Sequence, residues 1–286
     1  MPAKRQPASA RTQRERLGAE LRHARVLAGI SGRDIAAKVR LSQSTVSRIE
    51  AGGRIPTLPE VNAWLKAVRA DSELRDRLLD LTRSAFTEVE TYREALDGVS
   101  HLQGRAAAME SSARTLRTFE PVIVPGLLQT AEYARRAIAL SPGTVDLPAA
   151  LAARLDRQQI LYAPGHDFQF LLTEAALRWP AGPAEVLVAQ LHRLISIATL
   201  SNVALGVLPT QHDPSAIGWH EFTIYDDVAD GAPFVHTELA HVMLTINDPE
   251  DVATYRTSYD RLRQAALLDD DATAFIAKLA DELSRD

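Results

Sequence analysis

L-S-Q-S-T-V-S-R-I-E-A-G-G, Leu41 to Gly53, decides how the amino-terminal part of this chain folds. Ser42 is suited to cap a helix, because its hydroxyl can accept from the free N–H groups of the first turn. Gly52-Gly53 then supply the positive φ needed to leave it. At about 100° per residue, Val46 and Ile49 fall on one side, with Leu41 as an apolar entry residue. The opposite side carries Ser44, Ser47 and Arg48, with Gln43 at the exposed amino end. That face offers hydrogen-bond donors and acceptors on short or planar side chains and no negative charge. It can therefore read base edges in a DNA major groove, Gln suiting adenine and Arg suiting guanine. The same residues would also suit an ordinary surface helix, so the neighbouring segments decide.

Leu17, Leu21, Ala24 and Val26 predict a first amphipathic helix closed by Gly29. Ser31 caps a second, short helix from Arg33 to Val39, in which the small Ala36 lets a neighbour approach closely. With a tight turn at Arg40-Leu41 and the polar-faced helix after it, these segments make a helix-turn-helix. Thr57 caps a fourth helix from Leu58 to Val68, and Val61, Trp64, Leu65 and Val68 recur at helical spacing to complete a small core.

The run from Leu17 to Pro56, with G-I-S-G-R-D-I-A-A-K-V-R-L-S-Q-S-T-V-S-R-I-E-A-G, resembles the DNA-binding domain of the XRE family of helix-turn-helix regulators. The resemblance implies that Gln43, Ser44, Ser47 and Arg48 read bases. It implies that Arg33, Lys38, Ser42 and Arg54 touch phosphates, which fix register rather than sequence. It also implies an ion pair between Arg25 and Glu50. Glu50 lies near the packed side of its wheel, where a carboxylate needs a partner. Two positions depart from the family pattern. Arg40 stands where Gly is usual, which predicts a strained left-handed residue. Gly32 stands where many relatives place a phosphate-touching Gln.

The 286 residues, 46% of them apolar, suffice for two domains with their own cores. The absence of cysteine excludes disulfides and Cys-based zinc sites and fits a reducing cytoplasm. Met1 to Arg16 is basic and polar, unlike a signal peptide, and no stretch is apolar enough for a membrane span. A cytoplasmic protein is expected. The net charge of -5 conceals an asymmetry, because residues 1–54 hold twelve basic and four acidic side chains. A basic head on an acidic body is the electrostatic footprint of a DNA binder whose second part does something else.

Along the chain, residues 1–11 read as a disordered basic arm, 12–70 as the DNA-binding domain, 71–99 as a connecting helix and 100–286 as an effector domain. The connecting helix rests on Leu74, Leu78, Leu81, Ala85, Val89 and Tyr92 at spacings of three and four. It either joins the domains or pairs with its copy in a dimer. In the last region, helices are expected at Ala106 to Leu116, Ala149 to Tyr162, Ala184 to Leu200, Pro249 to Leu267 and Asp271 to Leu283. They alternate with strands at Phe168 to Thr173, Val203 to Leu208, Glu221 to Tyr225, Phe234 to Thr237 and Val242 to Ile246. The fold class is thus an all-α helix-turn-helix domain followed by a larger α+β domain.

V-P-G-L-L-Q-T-A-E-Y-A (124–134), A-R-L-D-R-Q-Q-I-L (153–161), T-E-A-A-L-R (173–178) and Q-L-H-R-L (190–194) carry a second resemblance. Together they are similar to the carboxy-terminal domain of actinobacterial developmental regulators of the WhiJ type. That resemblance implies a repressor or antitoxin-like protein, working with a small partner protein on double-stranded DNA. Arg154, Arg157 and Gln158 are expected to be structural. The alternative is a repressor that senses a small-molecule ligand in this domain. A helix-turn-helix dimer would favour an inverted-repeat site.

His220, Glu221, His236, Glu238 and His241, with His212 and Asp213 nearby in sequence, are the only residues whose grouping suggests metal chemistry. No H-E-x-x-H helix, EF-hand loop, phosphate-binding loop or nucleophile elbow accompanies them. No cofactor, metal or catalytic residue is therefore expected, and the chain does not read as an enzyme.

Overall fold

The computed structural model of the chain describes residues 13–91, 99–140, 146–211, 213, 216–229, 231–240 and 242–285. It separates into two compact units, Met1–Glu88 and Val89–Asp286. The expected basic arm lies outside the described residues, as do His212 and His241.

Among the described residues the first unit is helical as far as Ala85: α1 (Gln13–Leu27), α2 (Gly32–Val39), α3 (Gln43–Glu50), α4 (Leu58–Ala67) and α5 (Ser72–Ala85). Ser31, Ser42, Thr57 and Asp71 cap α2 to α5 through their side chains. Each supplies an acceptor to a backbone N–H that the helix itself cannot satisfy. Leu17, Leu21, Ile35, Val46, Ile49, Val61, Trp64, Leu65 and Leu78 form the core, and the Trp64 indole donates to Leu21 O at 3.2 Å. Gly18 lets α1 and α3 meet backbone to backbone, since a Cβ there would stand 2.4 Å from Ile49 O.

Arg40 leaves α2 in the left-handed region, at φ 59° and ψ 39°. Its N–H donates to Ala37 O and that of Leu41 to Ala36 O, so the turn geometry is fixed by hydrogen bonds whatever the side chain. Relief of the left-handed strain, about 1–2 kcal/mol, exceeds the entropy that glycine adds to the unfolded chain, about 0.5–1 kcal/mol. Arg40→Gly should therefore raise the melting temperature of this unit by a few degrees in a calorimetric scan, and a fall would remove the strain argument.

The connecting helix expected over 71–99 is not one helix. α5 ends at Ala85, and Thr87–Thr91 is a strand, β1. T-E-V-E-T places β-branched residues at every second position, a period-two signal that outweighs the helical spacing of Val89 with the residues before it.

In the second unit, α6 (Val99–Ser112) leads into β2 (Ala113–Glu120), then a 3-10 turn Gly126–Leu128, α7 (Ala131–Ala139), α8 (Leu147–Arg157) and a second 3-10 turn Gln158–Tyr162. There follow β3 (Asp167–Thr173), α9 (Glu174–Leu177), α10 (Ala184–Ile197), β4 (Val203–Leu208), β5 (Phe222–Val228), β6 (Phe234–Glu238), β7 (Val242–Ile246), α11 (Pro249–Gln264), β8 (Leu267–Leu268) and α12 (Asp269–Leu283). The helix expected from Ala106 to Leu116 thus stops at Ser112, and the chain continues as the central strand of the sheet. Strand order is β1-β7-β6-β5-β2-β3-β4-β8. β2, β3 and β4 are parallel, and β5, β6 and β7 continue antiparallel from the other side of β2.

The sheet has two covered faces, so its strands alternate between two apolar environments. Leu116, Phe168, Phe170, Leu172, Val203 and Leu205 pack with Leu187, Leu191 and Leu194 of α10 and Ile276 and Leu279 of α12. Phe119, Leu171, Phe222, Ile224 and Val235 pack on the other face with Val252, Tyr259 and Leu262 of α11. Among the described residues, no helix is long and apolar enough to cross a membrane.

Candidate nucleic-acid interface and effector cavity

In the first unit, α3 buries Val46 and Ile49 and leaves Gln43, Ser44, Ser47 and Arg48 exposed. Arg33 and Lys38 are exposed on α2. The Ser42 hydroxyl accepts from Thr45 N at 3.1 Å and lies 2.8 Å from both Ser44 Oγ and Thr45 Oγ1, so its first task is to cap α3. Arg54 is less free than its sequence position suggests. Its Nη2 donates to Glu60 Oε1 at 2.8 Å, while Glu60 Oε2 accepts from Thr57 N and closes the capping box of α4.

Arg25 grips Glu50 with two hydrogen bonds, Nε to Oε1 at 2.5 Å and Nη2 to Oε2 at 2.9 Å. Its Nη1 donates to Ile30 O at 2.8 Å. Only 12% and 11% of the two side chains is exposed, so this is a shielded, fork-to-fork pair. The Glu50 hydrogen bond holds the Arg25 guanidinium above its ordinary pKa. The pair ties the end of α3 to α1 and to the loop that precedes α2.

The second unit holds a partly open cavity of about 330 Å³. Its floor is one face of the sheet. In successive cross-strand rows this face presents Leu116 with Tyr225, Thr118 with Thr223 and His236, and then Glu120, Glu221 and Glu238. Thr118 and Thr223 hydroxyls are 3.0 Å apart. α6 contributes Gln103, Arg105, Met109 and Glu110 to the wall, and α8 contributes Arg154 and Arg157.

Arg154 Nη1 donates to Gln129 Oε1 at 2.9 Å, and Arg157 Nη1 lies 3.5 Å from Glu110 Oε1. Gln158 turns away and ties Gly126 O and Gln129 O together at 2.8 and 2.9 Å. Burial lifts the Glu110 carboxyl to about 7 against the pull of Arg157 and Arg154. Burial, then Glu238, lifts Glu221 to about 7 as well. Glu120 is held well above the usual carboxylate range by burial and by Glu221 and Glu238. Burial and the neighbouring Arg157 bring Arg154 down to about 10.

Among the described residues the histidines do not assemble a metal centre. His236 and Glu238 share a face of β6, 3.9 Å apart, and burial lowers the His236 pKa. His220 instead meets Thr237 Oγ1 at 3.1 Å and the Tyr255 hydroxyl at 3.3 Å, on the side of the strand where α11 packs. Among the described residues no group of three His, Asp or Glu side chains could hold a metal ion. No motif or spacing in the sequence marks Glu110 or Glu120 as part of a site. A signal for the site was the spacing of Arg154 and Arg157, which puts two cations one turn apart on α8.

The family described as a domain of unknown function, DUF5753, matches residues 103–278, and a helix-turn-helix domain family matches residues 16–78. No curated protein matches the chain. Among solved structures, the chain is similar to Nuc of Salmonella typhimurium, a phospholipase D family member, at 14% identity and TM-score 0.34, covering 64% of this chain and 96% of that one. NucT from Helicobacter pylori is 11% identical at TM-score 0.35, covering 63% and 97%. TrmBL2, an archaeal chromatin protein with a novel mode of DNA binding, is 14% identical at TM-score 0.32, covering 87% and 92%.

Proposed function

The chain belongs to the DUF5753 family, carrying a helix-turn-helix domain ahead of the domain that defines it, and from that premise we propose a sequence-specific DNA-binding transcription regulator of XRE type. The observation that carries this reading is α3. It is buried on its Val46–Ile49 side and exposes Gln43, Ser44, Ser47 and Arg48 with no acidic residue among them. Arg33 and Lys38 supply phosphate contacts from α2, and Arg54 joins them where DNA competes with Glu60. The protein acts as a cytoplasmic repressor or antitoxin-like homodimer, whose two α3 helices sit about 34 Å apart on an inverted repeat.

The second unit supplies the signal. Of a small partner protein and a small-molecule ligand, the cavity of the second unit supports the ligand. A ligand that binds one arrangement of the regulator better than another shifts its DNA affinity by that difference.

The test is a binding titration on DNA selected from a random pool. Arg48→Ala should cost about 1–3 kcal/mol on the selected site and relax the preference at one base position. Lys38→Ala should weaken all sequences alike and flatten the salt dependence by about one unit of slope. Unchanged titrations for both variants would overturn the assigned face.

A further inference from the structure

The cavity's polar groups are unevenly matched. Four of its lining atoms are buried without a hydrogen-bond partner: Gln103 Oε1, Glu110 Oε2, Arg154 Nε and Arg157 Nε. A buried polar atom without a partner destabilises the fold, so their concentration at one cavity calls for a reason. Glu110 is 6% exposed, and its second oxygen is left over after the first has met Arg157.

The Glu120–Glu221–Glu238 row, with Glu120 and Glu221 half-buried and Glu238 exposed, poses a separate problem of charge. Phe119 is registered on Phe222 and Thr223 on His236, so these three carboxylates follow one another across β2, the start of β5 and β6. Like charges directly opposite on neighbouring strands repel. Glu221 Oε1 accepts from Glu238 N and from Thr237 Oγ1 at 3.1 Å, and Glu120 accepts from Ile123 N. For Glu120 and Glu221 those described partners are backbone and hydroxyl donors, with no arginine or lysine among them. Of the arginines of the wall, Arg154 donates to Gln129, Arg157 lies against Glu110, and Arg105 reaches Thr245 beside His236. The floor beside this row combines apolar Leu116, Phe170, Tyr225 and Met243 with polar Thr118, Thr223 and His236.

We infer that this cavity is a binding site for a small organic ammonium ligand, its protonated amine seated between Glu120 and Glu221 and its apolar body on Leu116, Phe170 and Tyr225. An ammonium group brings donors and a positive charge to a row of carboxyls, and favours the charged form that burial otherwise opposes. The apolar residues of the floor then select an amine with a hydrocarbon body over a hydrated inorganic cation. This inference rests on the reading of the second unit as a ligand-sensing effector and gives that ligand its chemical class.

The test is thermal unfolding of the full chain at pH 8 with phenethylamine or putrescine, against phenethyl alcohol and hydrocinnamate. One of the amines should raise the transition of the second unit by about 5 °C at saturation. The alcohol and the acid should leave it in place. The Glu120→Gln/Glu221→Gln double variant removes the repulsion without changing shape, so it should fold and lose the response. Glu221→Gln alone should weaken the amine at least tenfold in calorimetric titration. Amines that act no more than the alcohol overturn the assignment, as does stabilisation by hydrocinnamate alone or a response that survives the double substitution. Because the titration contains no DNA, its failure removes the ligand class and leaves the DNA reading to the Arg48 experiment.

Discussion

Arg25→Ala should destabilise the first unit by about 3–5 kcal/mol, enough to leave it largely unfolded at physiological temperature. The cost exceeds that of an ordinary surface pair because both side chains are nearly nine-tenths shielded. Truncating Arg25 leaves the Glu50 carboxylate without its two donors and Ile30 O without a third. Glu50→Ala should cost a similar amount for the mirror-image reason. The informative experiment is the double variant Arg25→Met/Glu50→Leu, which replaces the charges with apolar volume. It should recover most of the loss, since a shielded ion pair gains little net over well-packed apolar groups. Chemical denaturation of the four proteins measures all of this. A loss below about 1 kcal/mol for Arg25→Ala would put the pair on the same footing as surface pairs such as Arg83–Asp80.

The second unit should melt about 10 °C lower at pH 8 than at pH 5.5. Glu110 and Glu221 titrate near 7 in the folded chain and near the usual carboxylate value when unfolded. A group whose folded pKa is raised favours the folded state while it is protonated. Its contribution is complete below the unfolded pKa and is lost as pH climbs through the folded one. Across the window from about 5.5 to 8 each glutamate therefore withdraws about 2 kcal/mol. Glu120, raised further still, steepens the same trend. Glu221→Gln should remove about half of the slope and raise stability at pH 8. Differential scanning calorimetry across that range settles the sign, and a flat or rising profile would show the carboxylates to be solvated in the folded chain.

Much of the first unit was legible from local rules. Ser31, Ser42 and Thr57 announce their helices because a cap needs only its own side chain and the next three residues. Val46 and Ile49 mark the buried side of α3, and thereby the exposed one, because a helix puts periodicity and orientation in the same few residues. The second unit was harder to read where strand and helix signals overlap. A-R-T-L-R-T spaces its arginines three apart like a helix, yet runs as the central strand, its Arg117 drawn into an ion pair with Asp226 at 3.0 Å. A polar side chain in a strand breaks the apolar alternation unless its distant partner is known.

By itself, then, the sequence determined the helix-turn-helix, its outward polar face and the order of most elements. These depend on neighbours within about one turn of chain. Only the tertiary structure decided that Glu120, Glu221 and Glu238 form one row, that Glu110 and the arginines of α8 wall a cavity over it, and that His220 stands on the far side of β6 from Glu238. Such groupings are set by strand order and register, and in a sheet whose strands come from widely separated segments neither is written in any single stretch.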